Sequence, residues 1–228
     1  MTRIRRYLGF ALFGVISVTS VLSMAGRTDA QDVGRRTPGS GGINEIKLVA
    51  NHCNVNFESS KNGKLEYDYD GSKFQVTSKV NGSVITISTK GKDQTENSSL
   101  KDRIIIRLPK DTYKTISVNA NHAGVSLPKM NVNYNLESKE GALSVSVPNG
   151  YSKTLNYKLT NSAGSIDFNS KANHFKLQLT ADGSAVSVPK GWPSFHFGST
   201  YKYKKGKGTG TINIQAKDSS FAITQANK

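Results

Sequence analysis

A single cysteine stands in 228 residues, so no disulfide can form within the chain and no thiolate metal cluster is available. Proline is scarce at 6 and aromatic residues make up only 8% of the chain. Carboxylates are short as well: 16 Asp plus Glu stand against 31 Lys plus Arg, for a formal net charge of +15. Hydrophobic residues, at 36%, are fewer than the core of a helix-rich enzyme usually draws on. These shortages exclude collagen, a disulfide-stapled mini-domain and a polytopic membrane protein, while leaving enough apolar content for one ordinary core. Amphipathic patterns at a 3.6-residue period are also missing after the first thirty residues.

What is present begins with an address. Arg3, Arg5 and Arg6 precede an uncharged stretch from Tyr7 to Gly26 whose apolar heart is Leu8 to Val18, and the small-residue triplets Ser23-Met24-Ala25 and Thr28-Asp29-Ala30 follow that heart. This is the order of a secretory signal peptide, and residues 1–30 are read as one. The same 20 uncharged residues could instead span about 30 Å of hydrocarbon as an N-terminal membrane anchor, although Ser17, Thr19, Ser20 and Ser23 weaken that stretch. With no cysteine near the cleavage site, a lipoprotein anchor has no attachment point. Either reading places the remainder outside the cytoplasm, secreted or associated with the cell envelope. Residues 31–42, rich in Gly, polar residues and Arg, read as a flexible linker, and residues 43–228 as one folded domain.

That domain carries a repeated phrase: an alternating strand, a Gly/Asn/Ser turn, a second alternating strand, then a proline. It runs from Ile116 to Pro128, from Leu136 to Pro148 and from Leu179 to Pro189, and a fourth copy from Leu159 to Phe168 has Asn169 in the proline place. From Pro109 these marks fall every 19 to 21 residues. Ile46 to Phe57 and Ile212 to Ile223 repeat the form at the two ends. A fixed period near twenty is the mark of stacked repeats, none of which can bury its apolar face alone. The expected fold is therefore all-β: a β-solenoid, parallel β-helix-like, of about 20-residue rungs with successive rungs stacked in parallel. A β-sandwich with irregular strands is the alternative, but it gives no reason for the period.

Extra strands are expected at Lys64–Tyr69, Phe74–Val80, Val84–Thr89 and Arg103–Leu108. Asp70-Gly71 and Asn81-Gly82 are expected to close hairpins between the first three, because both dipeptides tolerate positive φ. These inserted N-terminal hairpins should cap one end of the stack, and the lysine-rich insert Pro193–Gly210 should protect the other edge.

The phrase Leu108-Pro-Lys-Asp-Thr-Tyr-Lys-Thr-Ile-Ser-Val118, followed by Asn-Ala-Asn-His-Ala-Gly-Val-Ser-Leu127, resembles a segment of the bacterial DUF4097 family of β-strand-repeat proteins, often described as candidate adhesins. The resemblance implies an extracytoplasmic β-solenoid-like fold and a surface role over residues 43–228. It supplies no catalytic residues, since the shared motifs are strand, proline and corner.

Reactive chemistry is sparse. The densest carboxylate group, Glu66, Asp68 and Asp70, alternates along one expected strand and reads as a solvated face rather than a cation site. The tripeptide Ala-Asn-His ends at His52, His122 and His174, and the first two hold the same place in their repeats. Two imidazoles are short of the three or four ligands that Zn²⁺ takes, so they read as corner residues, and no metal or other cofactor is expected. Cys53 reads as a small buried hydrophobe. Ser199-Thr-Tyr-Lys202 has SxxK spacing without the helix start that motif requires, and Gly206–Gly210 precedes a strand where a phosphate-cradling loop would precede a helix. A catalytic role is not expected.

Charge, by contrast, is concentrated. Residues 171–228 hold nine Lys against Asp182 and Asp218, a net +7, whereas residues 1–30 hold +3 and the linker +1. The densest patch is Tyr201, Lys202, Tyr203, Lys204, Lys205 and Lys207, preceded by Trp192, Phe195 and Phe197. Lysine without arginine suits diffuse, salt-sensitive attraction. In an exported chain the fitting partners are anionic cell-wall polymers, glycans or lipid headgroups; nucleic acid is not expected. The expected function is a non-catalytic surface or adhesin-like binding module acting through this basic C-terminal end. The alternatives are an envelope structural or stress-response component working through protein partners, and a polysaccharide-active enzyme.

Overall fold

The structure is a computed structural model describing residues 4–7, 42–61, 63–92, 103–109, 112–168, 175–192, 200–205 and 209–225. Among these residues there are eighteen strands and no helix. In chain order they begin with β1 (Ile4–Tyr7), β2 (Glu45–Asn51), β3 (Asn54–Ser59), β4 (Glu66–Tyr69), β5 (Phe74–Asn81) and β6 (Val84–Gly91). The middle six are β7 (Ile104–Leu108), β8 (Thr115–Asn121), β9 (Gly124–Leu127), β10 (Asn133–Lys139), β11 (Ala142–Val147) and β12 (Thr154–Thr160). The last are β13 (Ala163–Phe168), β14 (Phe175–Asp182), β15 (Ala185–Ser187), β16 (Thr200–Lys205), β17 (Gly210–Lys217) and β18 (Ser220–Gln225).

Each repeat phrase folds into one rung, with its first strand in a front sheet and its second in a back sheet. The front sheet runs β16-β14-β17-β12-β10-β8-β2-β6-β5, and the back sheet β1-β4-β7-β3-β9-β11-β13-β18-β15. Neighbouring rungs pair in parallel and in register, so equivalent residues form columns. Alternation drives this arrangement, because successive side chains on a strand point to opposite sheet faces and only one face is apolar. In the front sheet one inward column reads Ile46, Ile116, Tyr134, Leu155, Ile212 and Leu177, every member buried. In the back sheet Val55, Val125, Leu143 and Phe221 form a matching inward column, all buried. Gly164 stands in that back column between Leu143 and Phe221, where an added Cβ would press on the Phe221 ring and on Leu159.

The β-solenoid architecture and its twenty-residue rungs stand as the sequence implies. The order of the rungs does not. β17 lies between β12 and β14, and β18 between β13 and β15, so the last rung in the chain is the next-to-last in space. The other end mirrors this: β2 and β3 sit inside β6 and β7. Aromatic bulk explains the C-terminal crossover. Phe175 on β14 stacks on Phe168 at 4.4 Å and 9°, and Trp192 lies 5.6 Å from Phe175 and 4.4 Å from Tyr203. This cluster closes the stack, so β14 belongs at the end. Gly210 on β17, directly opposite Phe175, lets the Tyr151 backbone approach closely, since a Cβ at that place would run into it.

Both ends are covered as expected, with one difference in how. Asn81-Gly82 closes the antiparallel β5–β6 hairpin, and Gly82 takes φ 58. Asp70-Gly71 closes no hairpin, because β4 belongs to the back sheet and β5 to the front. The Asp70 carboxylate accepts hydrogen bonds from Ser72 N at 2.9 Å and Ser72 Oγ at 2.6 Å, and the Asp70 carbonyl accepts from Phe74 N at 3.0 Å. That local turn carries the chain across the core instead of folding it back. At the other end the described part of the 193–210 insert supplies β16, which closes the front sheet antiparallel to β14. Ile4–Tyr7 runs antiparallel to β4 at the edge of the back sheet, and the rest of the leader and linker through residue 41 lies outside the described residues. Among the described residues no helix is long and apolar enough to cross a membrane.

Candidate functional site

The corners between front and back strands bring separate rungs together. One residue at each corner takes the left-handed conformation: His52 (φ 49), His122 (φ 47), Glu140 (φ 54), Asn161 (φ 48), Gly183 (φ 57) and Asp218 (φ 48). Each of the non-glycine corner amides donates to the preceding strand's carbonyl in the next rung, as His122 N does to Lys139 O at 2.9 Å. The ladder therefore continues through the bend. Left-handed backbone costs an ordinary L-residue about 1–2 kcal/mol, and these amide bonds offset it.

The next residue at every corner is small: Cys53, Ala123, Gly141, Ser162, Ser219 and Ser184, all buried except Gly141. The serines form their own ladder, with Ser162 N donating to Ser219 Oγ at 3.1 Å and Ser219 N to Ser184 Oγ at 3.0 Å. Cys53 is buried, with its Sγ 3.2 Å from Thr89 Oγ1, and burial pushes its thiol up from the ordinary range, against the lowering effect of that contact. This is the small-hydrophobe role read from the sequence.

The matching places of two Ala-Asn-His tripeptides become a contact. The His52 and His122 rings stack with centroids 4.7 Å apart and planes 8° from parallel. His122 Nε2 lies 2.8 Å from Glu140 Oε2 in the following rung. Among the described residues no group of three His, Cys, Asp or Glu side chains could hold a metal ion. His174, the third of the set, lies outside the described residues.

The carboxylates of β4 are more tightly held than a solvated face. Asp68 is buried and its Oδ2 accepts from Arg107 Nη2 at 3.4 Å, because β7 lies directly beside β4. Asp70 is engaged by Ser72, whose hydrogen bonds hold its carboxyl below the usual range. Ser199 of the SxxK spacing is outside the described residues.

The basic and aromatic patch divides between the two sides of β16. Tyr201 is buried opposite Leu179, Tyr203 is half-buried opposite Leu177, and Lys202 is exposed opposite Gln178. The interleaving visible in sequence is thus a period-2 strand, with its rings turned into the stack-closing aromatic cluster and Lys202 on the outer face. Lys204 and Lys205 continue the strand opposite Lys176 and Phe175. Lys207, Phe195 and Phe197 lie outside the described residues.

Lys202 joins a larger surface that sequence reasoning missed. Along the outward face of the front sheet stand Lys47, Lys79 and Lys90 towards one end, Lys139 and Lys158 in the middle, and Lys176, Lys217 and Lys202 towards the other, all exposed. Against these eight lysines the same strands present Glu45, Glu137 and Asp182, a net of five positive charges. In the middle, Asn156 Nδ2 donates to Asn135 Oδ1 at 3.0 Å and Asn213 Nδ2 to Asn156 Oδ1 at 2.9 Å, forming an amide ladder. The lysines belong to different rungs and are scattered from residue 47 to 217, so no sequence window shows them together. The signal was the repeat register itself, extended from inward to outward positions.

Residues 43–141 match the family model described as Toastrack DUF4097, a range that contains the segment from Leu108 to Leu127 on which the resemblance rests. Among solved structures, a candidate cell adhesion protein from Clostridium sporogenes ATCC 15579 is similar in fold at 16% identity and a TM-score of 0.50, covering 84% of this chain and 97% of that one. A candidate adhesin from Bacteroides fragilis NCTC 9343 aligns at 14% identity and a TM-score of 0.35, over 81% of this chain and 93% of that one. No curated protein matches the chain.

Proposed function

We propose that this chain is a non-catalytic, extracytoplasmic binding module of adhesin type, held at the cell surface or secreted, that contacts anionic envelope polymers through the basic end of its stack. The observation that carries the reading is β16. It is an edge strand that turns Tyr201 and Tyr203 inward to close the core and leaves Lys202 exposed at the sheet's border. A lysine-bearing edge also resists pairing with another chain, so polymer attraction and edge protection use the same residues. The fold shared with the C. sporogenes protein supports a surface role.

The test is co-sedimentation of the full chain with purified cell walls across a salt series. Binding should weaken steeply as salt rises, because contacts between exposed charges are screened within about 10 Å at 0.1 M ionic strength. A variant with Lys202, Lys204, Lys205 and Lys207 changed to Gln should remain in the supernatant. If that variant sediments like the parent, the basic end is not the contact.

A further inference from the structure

We infer that the outer face of the front sheet is a binding track for a linear carboxylated polysaccharide laid along the stack axis. The inference rests on the reading of a polymer-binding module and names the surface and the ligand chemistry. One row of outward residues crosses all nine front strands in unbroken register. It starts at Lys79 on β5, passes Thr86 on β6 and reaches Lys47 on β2. It continues through Ser117, Asn135, Asn156 and Asn213, and ends at Gln178 and Lys202. At the ordinary strand spacing of about 4.8 Å the row is roughly 38 Å long. It contains no carboxylate.

Beside the row lies a shallow depression of about 480 Å³, walled by Asn119, Glu137, Lys158 and Gln215 on its far side. Along the row itself ammonium groups stand at Lys79, Lys47 and Lys202, hydroxyls at Thr86 and Ser117, and amides from Asn135 to Gln178, while the depression adds the paired Lys158 and Glu137. In the ladder Asn156 spends one N–H on Asn135 and accepts one from Asn213. A primary amide carries two N–H groups and two carbonyl lone pairs, so half of its capacity is left for a ligand. Amides in fixed register suit the hydroxyls of a sugar chain, and lysines suit its carboxylates. The ladder also preorganises the amides, which lowers the ordering cost of binding.

The same face argues against nucleic acid. Its outward positions carry no aromatic ring on which bases could stack and no arginine fork for bidentate phosphate recognition. The β16 tyrosines that resemble a stacking platform in sequence point to the other side of the sheet.

The experiment measures binding of the full chain to hyaluronate, to neutral dextran of matched length and to poly-uridylate, each over a salt series. Hyaluronate should bind most tightly and weaken steeply with salt. Lys47→Glu and, separately, Asn156→Asp place a carboxylate in the row at exposed sites. Each should weaken hyaluronate binding by about tenfold or more, because like charges brought together at an interface are costly. Ser126→Glu, at an exposed place on the back sheet, should leave binding unchanged, and equal melting temperatures for the three variants would separate lost contact from lost fold. If the four-lysine Gln variant of the basic end loses hyaluronate while Lys47→Glu and Asn156→Asp keep it, the track is wrong and the proposed function stands. Dextran bound as tightly, or poly-uridylate bound more tightly, overturns the ligand assignment. A parent chain that binds neither hyaluronate nor cell walls overturns both readings.

Discussion

The two outer faces of this stack are built by the same rungs, yet they differ in charge. The front face holds eight lysines against three carboxylates over a ladder of amides. The back face carries Ser126, Ser144, Ser165, Ala142 and Ala163 through its middle, and the described charged side chains of strands β3, β4, β7 and β13 on it are Glu58, Glu66, Asp68 and Asp167 against Arg107. Back-face charge is largely consumed within the protein, since Arg107 reaches Glu58 at 3.3 Å and Asp68 at 3.4 Å. A formal charge of +15 over the whole chain therefore says little about where a polyanion would land. What decides it is the side of the stack onto which each strand turns its odd or even residues.

The contrast between the two faces requires the rungs to stand in the observed order, and that order can be disrupted from inside the core. Ile214 on β17 is 1% exposed and packs between the rungs of β12 and β14. Ile214→Ala should cost about 2–5 kcal/mol in denaturant unfolding. Hydrogen exchange should accelerate in both β12 and β14, because β17 lies between them. Acceleration confined to β17 and β18 would contradict the crossover.

A smaller effect comes from what holds front and back sheets together. The Tyr157 hydroxyl, on the front sheet, donates to the carbonyl of Leu143 on the back sheet, and its ring meets Phe221 edge-on at 5.2 Å. Tyr157→Phe should cost about 0.5–1.5 kcal/mol, the net worth of one buried hydrogen bond, since Leu143 stays within the parallel ladder of β11. Burial raises the pKa of this phenol and of Tyr134 and Tyr151, and pushes Tyr113 up to about 12. Folded-state values above the ordinary 10 mean that the neutral phenols contribute their full stability below about pH 10. That stability is lost as pH rises through the folded values, so urea midpoints should hold level to pH 9 and fall above 10, and fall less in Tyr113→Phe. A midpoint that stays level through pH 12 would show that these phenols are not buried.

The smallest effect sharpens the contrast in charge. Glu137 pairs with Lys158 at 2.9 Å with both side chains about half exposed, a geometry worth less than about 1 kcal/mol. Glu137→Gln should barely move the melting temperature while raising the front-face excess by one and tightening hyaluronate binding. Asp167→Asn makes the same change in charge on the back face and should leave binding where it was. Equal tightening by both would mean that net charge, and not the face, governs attraction.

Much of this architecture was legible because repeats advertise themselves. The period of 19 to 21 residues, the alternation within each phrase and the Asn81-Gly82 hairpin all follow from short-range rules that the structure obeys. The shared repeat place of His52 and His122 was legible too, but their contact depends on the inserted strands leaving β2 directly beside β8. The basic patch was legible as composition but misleading as a surface: β16 sends its tyrosines and Lys202 to opposite sides, which a run of letters does not display. The front-face row was hidden for the opposite reason. Its members are separated by tens of residues and become neighbours only through register.

The sequence by itself determined the repeat length, the strand and corner of each rung, and which residues of a strand share a face, because these depend on backbone geometry and alternation within about twenty residues. Only the tertiary structure decided the order of the rungs and hence which outward residues adjoin. As rungs, β14 and β17 are nearly interchangeable, for both offer alternating aliphatic residues to β12. What distinguishes them is the bulk of Phe168, Phe175, Trp192 and Tyr203, which packs only where the stack ends and places β17 inside it.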